Sequence, residues 1–143
     1  MHVEWSKGLE TGHLEIDRDH QGIVDIINRL DGLLDHGNTA EIGEILCTLT
    51  EYVIVHFGRE EQLMLRTRYP RYDAHMLCHC QFFANLTRFT YAFETNARGL
   101  SRDIQEYLAD WLIEHEASED KHFVTYLNDH DAGLSGAGSP TLL

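Results

Sequence analysis

At 143 residues the chain is the size of one domain and can bury a core without disulfide or metal staples, so a metal bound to it would serve function rather than folding. Its 24 acidic residues against 11 basic, a net charge of -13, argue against nucleic acid or an anionic membrane face as partner, because both demand positive potential. No stretch resembles a signal peptide, and the longest apolar run falls far short of the roughly 20 residues of a membrane span. The expectation is therefore a cytoplasmic protein with no membrane insertion. Cys47, Cys78 and Cys80 are odd in number and lack zinc-ligand spacing, so they read as ordinary thiols in a reducing compartment.

Residues 1 to 16 have no sustained period and read as an extended arm over a core, with Trp5 as its anchor. Asp17 reads as the N-cap of a first helix, whose stripe Ile16, Ile23, Ile27, Leu30 and Leu34 carries His20 and ends at Gly37-Asn38. Asn38 or Thr39 caps a second helix running to about Arg68, where Tyr69-Pro70 breaks it. Its stripe is Ile42, Ile45, Leu46, Leu49, Tyr52 and Val53, then Leu63 and Met64. His56 and Glu60 fall in phase with that stripe, four residues apart on one face.

A third helix starts beside Pro70, turns Tyr72, His75, His79, Phe82, Leu86, Phe89 and Phe93 inward, and stops near Gly99. Ser101 caps a fourth, in which Ile104, Leu108, Trp111 and Leu112 lead to His115. Beyond His115 the phase slips: Asp120, Phe123 and Leu127 make a better inner face than Glu119, His122 and Tyr126, the residues that regular spacing selects. One extra residue wound into the helix as a π-bulge accounts for the slip, and such bulges favour functional sites. Residues 131–143, rich in Gly and Ser, read as a flexible tail following a domain of residues 1–130. Four long amphipathic helices with short connections predict an all-α, up-down-up-down antiparallel four-helix bundle.

Each inward histidine alone is unremarkable. Together His20, His56, Glu60, His75, His79, His115 and Asp120 come from all four helices at similar depth, and burying them without an ion leaves donors and acceptors unmet. Seven ligands exceed one tetrahedral zinc and suit two octahedral ions sharing carboxylates. With only two carboxylates the site favours a lower-valent pair, and binding over oxygenation; the residues alone leave iron and manganese open. The histidines at 2, 13, 36, 122 and 130 lie near ends or off the stripes and read as solvated.

From Trp5 to Leu127 the chain resembles a bacterial hemerythrin. The likeness rests on Ile16-Asp17 before His20, His56-Phe57 with Glu60-Glu61 and Leu63-Met64, Tyr69-Pro70 before His75 and His79, and Trp111-Leu112 before His115 and Asp120. The resemblance implies two non-haem iron ions, with His75, His79 and His115 on one, His20 and His56 on the other, and Glu60, Asp120 and an oxo or hydroxo group as bridges. It further implies that the two-histidine iron takes up dioxygen at an open position. Glu116 departs from the family pattern, in which an apolar residue following the histidine lines the dioxygen pocket; Asp19, where glutamine is frequent, departs less. Reversible dioxygen binding for storage, delivery or sensing is the expected function. The alternatives are a di-iron oxidase or peroxidase promoted by Glu116, and nitric oxide or iron handling.

Overall fold

The computed structural model describes residues 1–34, 38–95 and 101–131. They form α1 (Leu14–Leu33), α2 (Thr39–Arg66), α3 (Tyr72–Thr95), and a fourth rod of α4 (Ser101–His115), a π-helical turn (Glu116–Asp120) and α5 (Lys121–Asp131). The helices pack as a ring, α1 on α2, α2 on α3, α3 on α4 and α4 on α1, which makes a four-helix bundle. No strand occurs among the described residues. Residues 132–143 of the expected flexible tail and the third-helix stop near Gly99 lie outside them, as does Gly37 at the expected end of the first helix, whereas Asp131 is the last residue of α5.

α1 begins earlier than Asp17. His13 is its N-cap: the backbone there is extended, and the imidazole accepts from the Ile16 amide. Asp17 sits inside the first turn, where its carboxylate accepts from the Thr11 amide at 2.8 Å, the Thr11 hydroxyl at 2.7 Å and the Gly12 amide at 3.1 Å. It thus ties the incoming loop to the helix, while Gly12, at φ +92°, lets that loop turn. Asn38 caps α2 by accepting from the Glu41 amide. The helix ends in a Schellman motif, with Tyr69 N–H on Met64 O, Arg68 N–H on Leu65 O and Arg68 in the left-handed region. The freed carbonyls of Thr67 and Arg68 accept from the Tyr126 hydroxyl, which joins this corner to α5.

In the N-terminal arm Val3 and Leu9 are buried in the core, and Trp5, partly covered, packs against the same cluster. Val3 exchanges two hydrogen bonds with Asn28, and the buried Gln105 amide donates to Met1 O.

Among the described residues the core consists of two apolar clusters. The larger includes Ile23, Ile27, Val53, Phe82, Leu108 and Leu112, and the smaller consists of Ile16, Met64, Tyr69, Phe123, Val124 and Leu127. On each helix the two clusters lie on opposite sides of an inward polar residue: His20 on α1, His56 and Glu60 on α2, His75 and His79 on α3, His115 and Asp120 on the fourth rod. A polar layer therefore crosses the bundle.

Candidate metal centre

The π turn sets the geometry of this layer. A regular α-helix advances five residues by roughly 140° beyond a full turn, which would carry Asp120 away from the face of His115. The wider turn takes up the extra residue, leaving Asp120, Phe123 and Leu127 buried and His122 exposed.

All seven residues singled out in the sequence meet in this layer, and all are buried. They form two overlapping groups, one of His75, His79, His115, Glu60 and Asp120, the other of His20, His56, Glu60 and Asp120; within each, the ligand atoms lie within 4.8 Å of one another. Each carboxylate divides its oxygens between the groups. Glu60 Oε1 lies 3.3 Å from His75 Nε2 and from His79 Nε2, whereas Glu60 Oε2 lies 3.3 Å from His56 Nε2 and 3.8 Å from His20 Nε2. Asp120 Oδ1 lies 3.0 Å from His75 Nε2 and from His115 Nε2, and Oδ2 lies 2.9 Å from His20 Nε2.

These atoms are near one another without satisfying one another. Among the described residues, both carboxylate groups and both nitrogens of His20 and His75 are buried with no hydrogen-bond partner, and His79 Nε2 faces His115 Nε2 at 3.2 Å. Converging lone pairs on buried imidazoles and carboxylates are costly unless a cation collects them, so the donor set fits one or two metal ions. In the metal-free chain protons must take that place. Burial alone would lower the His20 pKa, but Asp120, Glu60 and Glu116 raise it to about 11. His56 and His75 are likewise raised against burial to about 9, mainly by Glu60 and Asp19 for the first and by Asp120 and Glu60 for the second. Burial opposes ionisation of Glu60 and Asp120, yet the surrounding imidazoles hold both well below the usual carboxylate range.

Outer partners orient the rings. His56 Nδ1 lies 2.9 Å from Asp19 Oδ2, and Arg59 reaches both Asp19 oxygens at 2.9 Å. His79 Nδ1 lies 2.9 Å from Glu61 Oε2. Phe57 stacks on His79 with centroids 3.8 Å apart, and Trp111 on His115 at 4.4 Å. Sequence reasoning did not assign roles to Glu61, Arg59 or the two stacking rings. The available signal is adjacency: Asp19 precedes His20 and Glu61 follows Glu60, and a one-residue step of about 100° aims each at a histidine of the next helix. A groove of about 310 Å³ lined by Asp19, Thr48, Glu51, Tyr52, Val55, His56 and Arg59 opens over the outer edge of His56.

Glu116 points inward and is fully buried, with Oε1 3.5 Å from His20 Nδ1. Burial pushes its pKa up to about 8, with Asp120 and Glu60 adding to the rise and His20 and His56 opposing it. Of the histidines expected to be solvated, His2, His122 and His130 are exposed, His36 lies outside the described residues, and His13 is the helix cap.

Residues 11–127 match the hemerythrin HHE cation binding domain, most of the chain and the whole of the polar layer. The chain belongs to the hemerythrin family. Among its relatives, the bacteriohemerythrin of Stenotrophomonas maltophilia is 26% identical over 126 residues, 88% of this chain and 82% of the relative. That of Methylococcus capsulatus is 30% identical over 105 residues, 73% and 80% of the two chains. A crystal structure of wild-type hemerythrin superposes with a TM-score of 0.81 at 28% identity, covering 87% of this chain and 97% of its own. The hemerythrin assignment agrees with the resemblance carried by the histidine and carboxylate motifs. No helix among the described residues is long and apolar enough to cross a membrane.

Proposed function

We propose that the polar layer holds two non-haem irons, with an oxo or hydroxo group between them, and that the protein binds dioxygen reversibly. The observation that supports this reading best is the division of Glu60 and Asp120, each with one oxygen toward the group of His75, His79 and His115 and the other toward the group of His20 and His56. Bound there, the irons would supply the electrons and the coordination position that dioxygen requires. His75, His79 and His115 give one side three nitrogen donors, whereas His20 and His56 give the other two. The side with one donor fewer is where a small ligand fits. Asp19 and Glu61 accept from the outer nitrogens of His56 and His79, which fixes their tautomers and turns Nε2 inward. Burial of the layer keeps bulk water away. Three unpaired cysteines and the acidic composition suit the cytoplasm.

Metal analysis combined with optical spectra of the reduced protein, cycled between air and argon, tests the proposal. Two irons per chain and a visible band that appears in air and bleaches under argon are expected. Absence of iron overturns the metal assignment. Iron with a band that decays in one cycle, accompanied by consumption of added peroxide, selects the oxidase or peroxidase reading, and a response to nitric oxide alone selects the third.

A further inference from the structure

Two inward histidines, His56 and His79, have a carboxylate 2.9 Å behind the ring, supplied by Asp19 and Glu61. His20 has no such partner at that distance. Its Nδ1 is buried and unsatisfied, and Glu116 Oε1 lies 3.5 Å from it, with both Glu116 oxygens also buried and unsatisfied among the described residues. A buried N–H and a buried acceptor that face each other with no other partner are each costly alone, and a shift of about half an ångström closes the pair to ordinary hydrogen-bond length. The π turn makes the approach possible, since it keeps Glu116 and Asp120 on the inner side together.

We infer that Glu116 is the outer carboxylate of His20, accepting its Nδ1–H and so positioning the ring and strengthening its donation to the metal on the two-histidine side. The inference rests on the di-iron reading above and adds to it a role for Glu116. Glu116 accepts through an oxygen lone pair whether or not it is ionised, so its role does not depend on its protonation state. A more basic imidazole favours the higher oxidation state of its iron. The chain is thereby biased toward the oxidised centre and toward short-lived rather than long-term dioxygen carriage.

The test compares wild type, Glu116→Gln and Glu116→Ile, all loaded with iron. It reads the midpoint potential and the rate at which a chelator removes the first iron. Glu116→Gln retains a carbonyl acceptor, whereas Glu116→Ile has none. The expected results are iron loss about tenfold or more faster in Glu116→Ile, close to wild type in Glu116→Gln, and a positive shift in potential that is larger for Ile. A tenfold change in the preference for the oxidised state corresponds to about 59 mV for one electron. Equal potentials and equal iron loss in all three overturn the inference while leaving the di-iron reading intact. Equal changes in Gln and Ile also overturn it, since packing or charge rather than an accepted hydrogen bond would then be responsible. A wild-type protein that binds no iron overturns both.

Discussion

The Tyr52 hydroxyl occupies the place where a side chain on Gly22 would begin. Tyr52 lies one turn before His56, and its ring crosses α1 only because that helix lacks a Cβ there. Alanine at position 22 gains about 1 kcal/mol of helix propensity but meets the phenol, and overpacking typically costs about 1–3 kcal/mol. Gly22→Ala should therefore destabilise the wild-type chain and stabilise Tyr52→Ala. Urea denaturation of the four proteins in the cycle is expected to give a coupling of about 1–3 kcal/mol; additive effects would show that the ring moves aside without cost.

Glu60 and Asp120 each face both histidine groups, so neither can be removed at the expense of one group alone. Glu60→Ala and Asp120→Ala should each lose at least one iron per chain by metal analysis. Full occupancy in both variants would contradict the bridging assignment.

Metal loading should release protons. In the metal-free chain His20, His56 and His75 have pKa values raised to about 11, 9 and 9, so at pH 7 they carry protons that metal must displace. Apparent affinity should rise with pH, less steeply above about 9 and levelling off only near 11, and a weakly buffered indicator assay should count fewer protons released above pH 9 than at pH 7. The same shifts set the stability of the metal-free protein. Folded values above the unfolded 6.5 give stability that is complete below pH 6.5 and lost as pH climbs through 9 to 11. Its melting temperature should fall over that alkaline range more steeply than that of the loaded protein.

The arm prediction concerns Asn28, whose side chain accepts from Val3 N–H at 2.7 Å and donates to Val3 O at 2.8 Å. Asn28→Ala should cost about 1–2 kcal/mol and expose the arm. Limited proteolysis between Met1 and Gly12 should accelerate, with Trp5 fluorescence shifting to the red. Unchanged cleavage would show that Val3 and Leu9 hold the arm by burial alone.

What the sequence made legible follows from periodicity. His20, His56, Glu60, His75 and His79 lie in phase with long apolar stripes, and the slip between His115 and Phe123 marks the π turn, because five residues cannot return a regular helix to the same face. The start of α1 was less legible: Asp17 has the better capping side chain, but capping depends on backbone dihedrals, and His13 is the extended residue. Size singles out Trp5 as the anchor, and it does pack against the core, but the arm's buried residues are Val3 and Leu9, which no period marks. Periodicity marks faces, not the direction of a side chain beside a ligand, so Glu116 was conspicuous by position while its approach to His20 required coordinates.

The polar layer also bears on how the molecule comes apart. Two apolar clusters lie on either side of the charged layer, the smaller with six buried side chains among the described residues, so each end of the bundle should be able to open by itself. Ions drawing donors from all four rods would rivet the two ends into one. Without them, the end containing α5 should open alone, its amides exchanging with solvent faster than those around Ile23 and Leu30, whereas the loaded protein should exchange both through a single global opening. Iron status would then be written in the protein's susceptibility to proteolysis at that end, a readout available to a cell that never measures oxygen.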